Sequence, residues 1–141
     1  MTQRLEDQPV AIKLKLALAW SALMFLYIYN DYFNLYMPGT IENMSAGRIG
    51  PFGKAGELVF VGLSMTLAIP ALMIFLSAAL PAVASRWLNV VFGAAYTVIE
   101  GLTFSGALFY QIVVGLEIAL TLTIIVLAWR WPRGAAANAG G

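Results

Sequence analysis

Four segments of the chain are long and apolar enough to cross a lipid bilayer as helices, and this constrains the fold more than any other feature. One crossing needs about 20 apolar residues. A backbone in lipid must satisfy its own hydrogen bonds, so only helices and closed barrels span a membrane. The sequence therefore predicts an all-α, integral membrane four-helix bundle, with spans at about 14–36, 57–80, 86–104 and 108–131.

Composition agrees with a single membrane domain. The 141 residues are 61% hydrophobic and 11% charged, whereas a soluble domain carries about 25% charged residues. The excess apolar side chains are expected to face lipid. A polar lead-in at 1–13 precedes the first span, which we interpret as uncleaved. A Gly/Ala-rich tail at 132–141 is expected to be flexible and cytoplasmic.

Proline and glycine mark the predicted helix ends. Asp7 can cap a lead-in turn, and Pro38 ends the first span. Ser105 and the following glycine form the turn between the third and fourth spans, and Pro132 stops the fourth. Pro70 lies inside the second span and should kink it, which a bundle tolerates when a neighbour satisfies the freed carbonyl.

The segment at 38–56 is the only sizeable loop between the predicted spans. Its glycines and prolines make it rich in turns. It is interpreted either as a short surface helix or as a re-entrant cap over the mouth of the bundle.

Lysine and arginine predict the orientation of the bundle, because cytoplasmic loops carry an excess of both. With four spans, two of the eight lie on the loop side, Arg48 and Lys54. The other six lie on the opposite side, which predicts that both termini are cytoplasmic; they are Arg4, Lys13, Lys15, Arg86, Arg130 and Arg133.

The residue types that are absent exclude several functions. The chain has no cysteine and no histidine, which removes disulfides, thiol chemistry, the usual zinc and copper sites and histidine-ligated haem. Its net charge of +1 argues against a nucleic-acid partner. We therefore expect no cofactor, no metal and, on balance, no enzymatic activity.

Two glutamates, Glu100 and Glu117, lie inside predicted spans, where an acidic side chain is costly. Helix rise places Glu100 roughly 21 Å and Glu117 roughly 20 Å from the inner boundary, with Asp31 at roughly 24 Å. The three carboxyl groups should therefore occupy similar heights in the outer half of the membrane.

Other polar residues recur on the same helix faces at spacings of three and four. Such stripes should face inward, because polar groups in lipid are expensive. The candidate residues of a ligand- or proton-binding site are Tyr27, Asn30, Asp31, Tyr96, Thr97, Glu100, Glu117 and Thr121.

Three interpretations of this polar layer remain open at the level of sequence. The glutamates could be protonated and hydrogen-bonded as packing contacts. They could form a site for a proton, a cation or a polar small molecule that opens outward. The layer could also be a lateral pocket for lipid or quinone. Asp31 could be solvated, or paired with Arg48 or Lys54 of the outer loop.

Three stretches resemble a bacterial family of small four-span membrane proteins of unknown function. They are 27–31 (YIYND), 86–89 (RWLN) and 110–131, which includes Glu117-Ile118 and ends AWRW. The resemblance implies a four-helix inner-membrane protein with no established activity. The chain also loosely resembles DoxX-like proteins, some of which are linked to quinone-related oxidoreductase complexes.

The sequence thus predicts a small multi-pass membrane protein with a polar, acidic intramembrane site that serves transport or ligand binding. The alternative is a structural or accessory subunit of a larger membrane complex, or a subunit that binds quinone or lipid. Membrane lipid is the expected partner, together with further copies of the chain or another membrane protein.

Overall fold

The computed structural model describes residues 8–50, 53–54 and 56–133. Within them the chain is all-α, and its only β feature is an isolated antiparallel bridge between Arg48 and Lys54. The five helices are α1 (Ile12–Asn34), α2 (Thr40–Ser45), α3 (Glu57–Ala79), α4 (Ala82–Thr103) and α5 (Leu108–Trp129).

The four long helices are each long and apolar enough to cross a membrane, as the sequence predicts. They contain 22 or 23 residues and have mean hydropathies between 1.3 and 2.4. Many of their large apolar side chains point away from the bundle: Leu58 is 86% exposed and Leu102 is 82% exposed. An apolar exterior of this kind suits a lipid environment.

The long helices form an up-down bundle in which each helix packs against two neighbours. α1 contacts α3 and α5, and α4 contacts the same two helices from the opposite side. Side chains meet across the diagonal between α1 and α4, where the rings of Trp20 and Tyr96 pack edge to face at 6.0 Å. The buried apolar core consists of Leu16, Trp20, Leu23, Met73, Tyr96, Ile124 and Ala128.

The helix ends differ from the predicted ones by a few residues. α4 begins at Ala82, directly after Pro81, and not at Arg86. Proline at the N-cap needs no hydrogen-bond donor, and the small residues that follow are compatible with helix. The 38–56 loop contains the short helix α2. The proposed cap at Asp7 and the tail beyond 133 lie outside the described residues.

Gly93 allows α4 and α5 to approach closely. A Cβ atom added there would lie 2.9 Å from Ile125 Cγ1 and 3.4 Å from the Thr121 carbonyl oxygen. Gly115 on α5 is different, because nothing lies within 4 Å of an added Cβ. Small residues at helix contacts are the usual means of close packing between membrane helices.

We expect Gly93→Leu to destabilise the bundle by about 1–3 kcal/mol, the usual cost of overpacking a well-packed site. The matched control, Gly115→Leu, adds the same side chain to an exposed position and should change stability little. Thermal unfolding in detergent measures both. Equal destabilisation by the two substitutions would contradict the close approach at Gly93.

Candidate functional site

A cavity of about 160 Å³ lies among all four long helices, towards the end of the bundle that carries the 35–56 loop. It is lined by Tyr27, Asn30, Asp31, Thr66, Leu67, Tyr96, Ile99, Glu100, Thr103, Tyr110 and Glu117. Six of the eight residues named from the sequence are in this lining. The other two, Thr97 and Thr121, are joined to it by hydrogen bonds.

Glu100 is buried, and both of its carboxyl oxygens have hydrogen-bond partners. The Tyr27 hydroxyl on α1 donates to Oε1 at 2.6 Å, and Thr121 Oγ1 on α5 lies 3.0 Å from Oε2. The first distance falls in the range of charge-assisted O–H···O bonds. Glu100 therefore ties α4 to α1 and to α5.

The Thr121 hydroxyl can keep Glu100 paired in either protonation state. Threonine has one hydroxyl hydrogen and two lone pairs. Besides Glu100 Oε2, the carbonyl oxygens of Glu117 and Ile118 lie 3.2 Å and 3.0 Å from Thr121 Oγ1. Thr121 can therefore donate to a charged Glu100, or accept from a protonated one and donate to its own helix.

Thr97 extends this arrangement on α4. Its hydroxyl lies 2.8 Å from the Gly93 carbonyl oxygen and 2.9 Å from Thr121 Oγ1. Because a single hydrogen serves both contacts, Thr97 either bonds within its helix or donates to Thr121. Thr97 and Thr121 thus lie outside the lining of the cavity, and their linked hydroxyls orient the Glu100 carboxyl.

Glu117 differs from Glu100 in having an unpaired oxygen. It is only 3% exposed, and its buried Oε1 has no hydrogen-bond partner. Asn30 is 7% exposed, and its side chain lies against the Glu117 carboxyl, but its own Oδ1 is likewise buried without a partner. An unsatisfied buried acceptor is costly, so two in one cavity require an explanation.

Pro70, inside α3, accounts for one further polar contact in the cavity wall. Proline has no N–H, so the Thr66 carbonyl of the preceding turn loses its helical partner. The Tyr96 hydroxyl on α4 donates to that carbonyl oxygen. The freed carbonyl is therefore satisfied by a neighbouring helix, as the sequence predicts.

Asp31 lies at the edge of the cavity and is exposed. It also lines a second cavity beneath α2, which it shares with Arg48. The sequence allows Asp31 to be solvated or to pair with Arg48 or Lys54, and in the structure Arg48 Nε donates to Asn43 Oδ1 at 3.0 Å.

Five lining residues were not among the candidates from sequence. Thr66, Thr103 and Tyr110 are polar, and the signal for Thr66 is the proline four residues later. Leu67 and Ile99 carry no chemical signal, because an apolar residue within a span is expected to face lipid or core.

A second group of buried polar side chains lies nearer the other end of the bundle, and each member is paired. Trp20 Nε1 donates to Asn89 Oδ1 at 2.7 Å, and Ser77 Oγ donates to the same oxygen at 3.1 Å. Asn89 Nδ2 donates to the Ser85 carbonyl at 2.8 Å, and Ser85 Oγ donates to the Ser77 carbonyl at 2.9 Å. This cluster is structural: it joins α1, α3 and α4.

Comparison with known proteins identifies the family. Residues 8–138 match the model of a family of unknown function, DUF6326. The chain belongs to this family. No characterised protein and no solved structure matches the chain significantly. This match supports the predicted resemblance to a family of unknown function. Neither the family match nor the other comparisons support the looser resemblance to DoxX-like proteins.

The pairing of Tyr96 with the carbonyl freed by Pro70 can be tested by a double-mutant cycle. Tyr96→Phe should cost about 1–3 kcal/mol, because the Thr66 carbonyl is left without a donor. In a Pro70→Ala background the same change should cost less, since the restored N–H at position 70 bonds that carbonyl.

Unfolding titrations in mixed micelles measure the four free energies of this cycle. Tyr29→Phe is the matched control, because Tyr29 is 58% exposed and should tolerate loss of its hydroxyl. An equal cost of Tyr96→Phe in both backgrounds would contradict the assignment.

Proposed function

We propose that this protein is a multi-pass protein of a bacterial cytoplasmic membrane whose acidic cavity opens to the outside and binds a small polar solute, as a step in its transport. The observation that carries the proposal is the buried Glu117 carboxyl, whose Oε1 has no partner although the cavity is lined by ten other residues from four helices.

The electrostatics of Glu117 support a binding role. A carboxylate removed from water needs a countercharge, which is either a proton or a cationic ligand. A packing role would favour the arrangement found at Glu100, where both oxygens are hydrogen-bonded by neighbouring helices. Of the two buried glutamates, Glu117 is therefore the one with an oxygen available to a ligand.

The volume of the cavity limits the size of the solute. A cavity of about 150 Å³ in a protein interior can hold one benzene molecule. The cavity here has a volume of about 160 Å³. It therefore suits a solute with roughly the volume of benzene, or a small cluster of waters.

The distribution of basic residues supports the direction of opening. Lys13, Arg86 and Arg130 belong to one end of the bundle, whereas the cavity lies towards the end that carries Arg48 and Lys54. By the rule that basic residues concentrate in the cytoplasm, both termini are cytoplasmic and the cavity faces outward. Lipid surrounds the exposed apolar side chains of the bundle.

Cysteine labelling tests whether the cavity receives water from outside. The natural chain has no cysteine, so single substitutions need no prior engineering. Ile99 lines the cavity and is 41% exposed, whereas Val98, its neighbour in sequence, does not line the cavity and is 61% exposed. A membrane-impermeant maleimide added to intact cells should label Ile99→Cys and leave Val98→Cys unlabelled, because thiols react in water.

Ser45→Cys in the exposed helix α2 reports the orientation in the same experiment and should be labelled from outside. Ile99→Cys that reacts only from the cytoplasmic side of inverted vesicles, or that reacts no faster than Val98→Cys, would contradict an outward-opening cavity.

A further inference from the structure

We infer that the solute is a compact organic cation with N–H donors, such as a guanidinium or a primary ammonium group, and that Glu117 and Asn30 bind it. This inference rests on the proposed function and specifies its ligand class. Some polar atoms of the cavity already have hydrogen-bond partners within the protein, whereas others have none, and this difference indicates the ligand.

The free atoms are hydrogen-bond acceptors. Glu117 Oε1 and Asn30 Oδ1 are both buried without partners, and both residues line the cavity. A carboxylate oxygen and an amide oxygen each accept hydrogen bonds. A ligand that satisfies them must therefore bring donors.

Most hydroxyl donors in the lining are already engaged. Tyr27 donates to Glu100, and Tyr96 donates to the Thr66 carbonyl. The Thr66 and Thr103 hydroxyls bond to carbonyl oxygens of their own helices at 3.0 Å and 3.1 Å. An anionic ligand would find few donors here, so the lining selects against it.

The charge of the lining also favours a cationic ligand over an anionic one. It contains Asp31, Glu100 and Glu117 and no basic residue. Both oxygens of Glu100 already have a hydrogen-bond partner in the protein, whereas Oε1 of Glu117 has none.

The walls of the cavity suit such a cation. Tyrosines 27, 96 and 110 supply aromatic surface from three helices, and aromatic rings attract cations. A guanidinium group is planar, carries several N–H donors in a fixed geometry and is weakly hydrated, so it leaves water more readily than an ammonium group.

Binding should exchange a proton for the cation. When the cavity holds no cation, a proton neutralises Glu117; on binding, that proton leaves to solvent and the carboxylate pairs with the ligand. The other titratable groups in the lining are Tyr27 and Asp31 on α1, Tyr96 and Glu100 on α4, and Tyr110 on α5 itself, while α3 contributes none. Affinity should therefore fall as the pH falls, because protons compete with the cation.

Isothermal titration calorimetry of the full chain in lipid nanodiscs tests the ligand class with three probes. Guanidinium should bind more tightly than its neutral isostere urea by about tenfold or more, because hydrogen bonds to charged groups are the stronger ones. Tetramethylammonium, a cation without N–H donors, should also bind more weakly than guanidinium. Repeating the titration in buffers of different ionisation enthalpy should show proton release.

The matched variants are Glu117→Gln and Glu57→Gln. Glu117→Gln should weaken guanidinium binding by about tenfold or more while the protein stays monodisperse. Glu57→Gln makes the same change at an exposed position in the first turn of α3 and should leave binding unchanged. Asn30→Leu removes the second acceptor and should also weaken binding.

Two results would overturn the inference: urea binding as tightly as guanidinium, or guanidinium binding that Glu117→Gln does not alter. Either would leave the outward-opening cavity in place, because that claim depends on the labelling of Ile99→Cys. Failure of that labelling would remove the proposed function itself.

Discussion

The packing of helices around the cavity depends on the hydrogen bonds of the Glu100 carboxyl. This carboxyl accepts a hydrogen bond from Tyr27 on α1 and one from Thr121 on α5. These bonds hold three helices around a shared polar centre. They give each oxygen of Glu100 a partner, whereas the buried Oε1 of Glu117 has none.

Buried polar atoms need hydrogen-bond partners, and the two polar regions of the bundle differ in whether the protein supplies them all. The Asn89 side chain accepts hydrogen bonds from the Trp20 indole and the Ser77 hydroxyl, and its amide nitrogen donates to Ser85. Such a closed network fixes helix register and has no capacity left for a ligand. The cavity contains engaged donors and free acceptors instead. Since an unsatisfied buried acceptor costs free energy, the unpaired oxygens indicate a site that a ligand or a proton completes.

The four-helix architecture can be predicted from the sequence, because the length of each apolar segment and the turn residues that separate the segments are local properties. Sequence reasoning also placed Glu100 and Glu117 at similar heights, because helix rise is regular. It could not tell that Glu100 is paired while Glu117 is not, since this depends on helix rotation and on hydroxyl partners from other helices. Ile99 was missed for a related reason: its apolar side chain has no periodic polar signal to mark the cavity wall. The sequence predicts the start of α4 at Arg86, whereas the helix begins at Ala82, directly after Pro81.

Infrared difference spectroscopy can identify the carboxyl group that responds to the cation, because protonated and ionised carboxyls absorb at different frequencies. Adding guanidinium to the wild-type protein should remove a protonated carboxyl band. This change should be absent in Glu117→Gln and retained in Glu100→Gln. A band that does not respond to guanidinium, or a response lost only in Glu100→Gln, would contradict the assignment of Glu117 as the free carboxyl of the cavity.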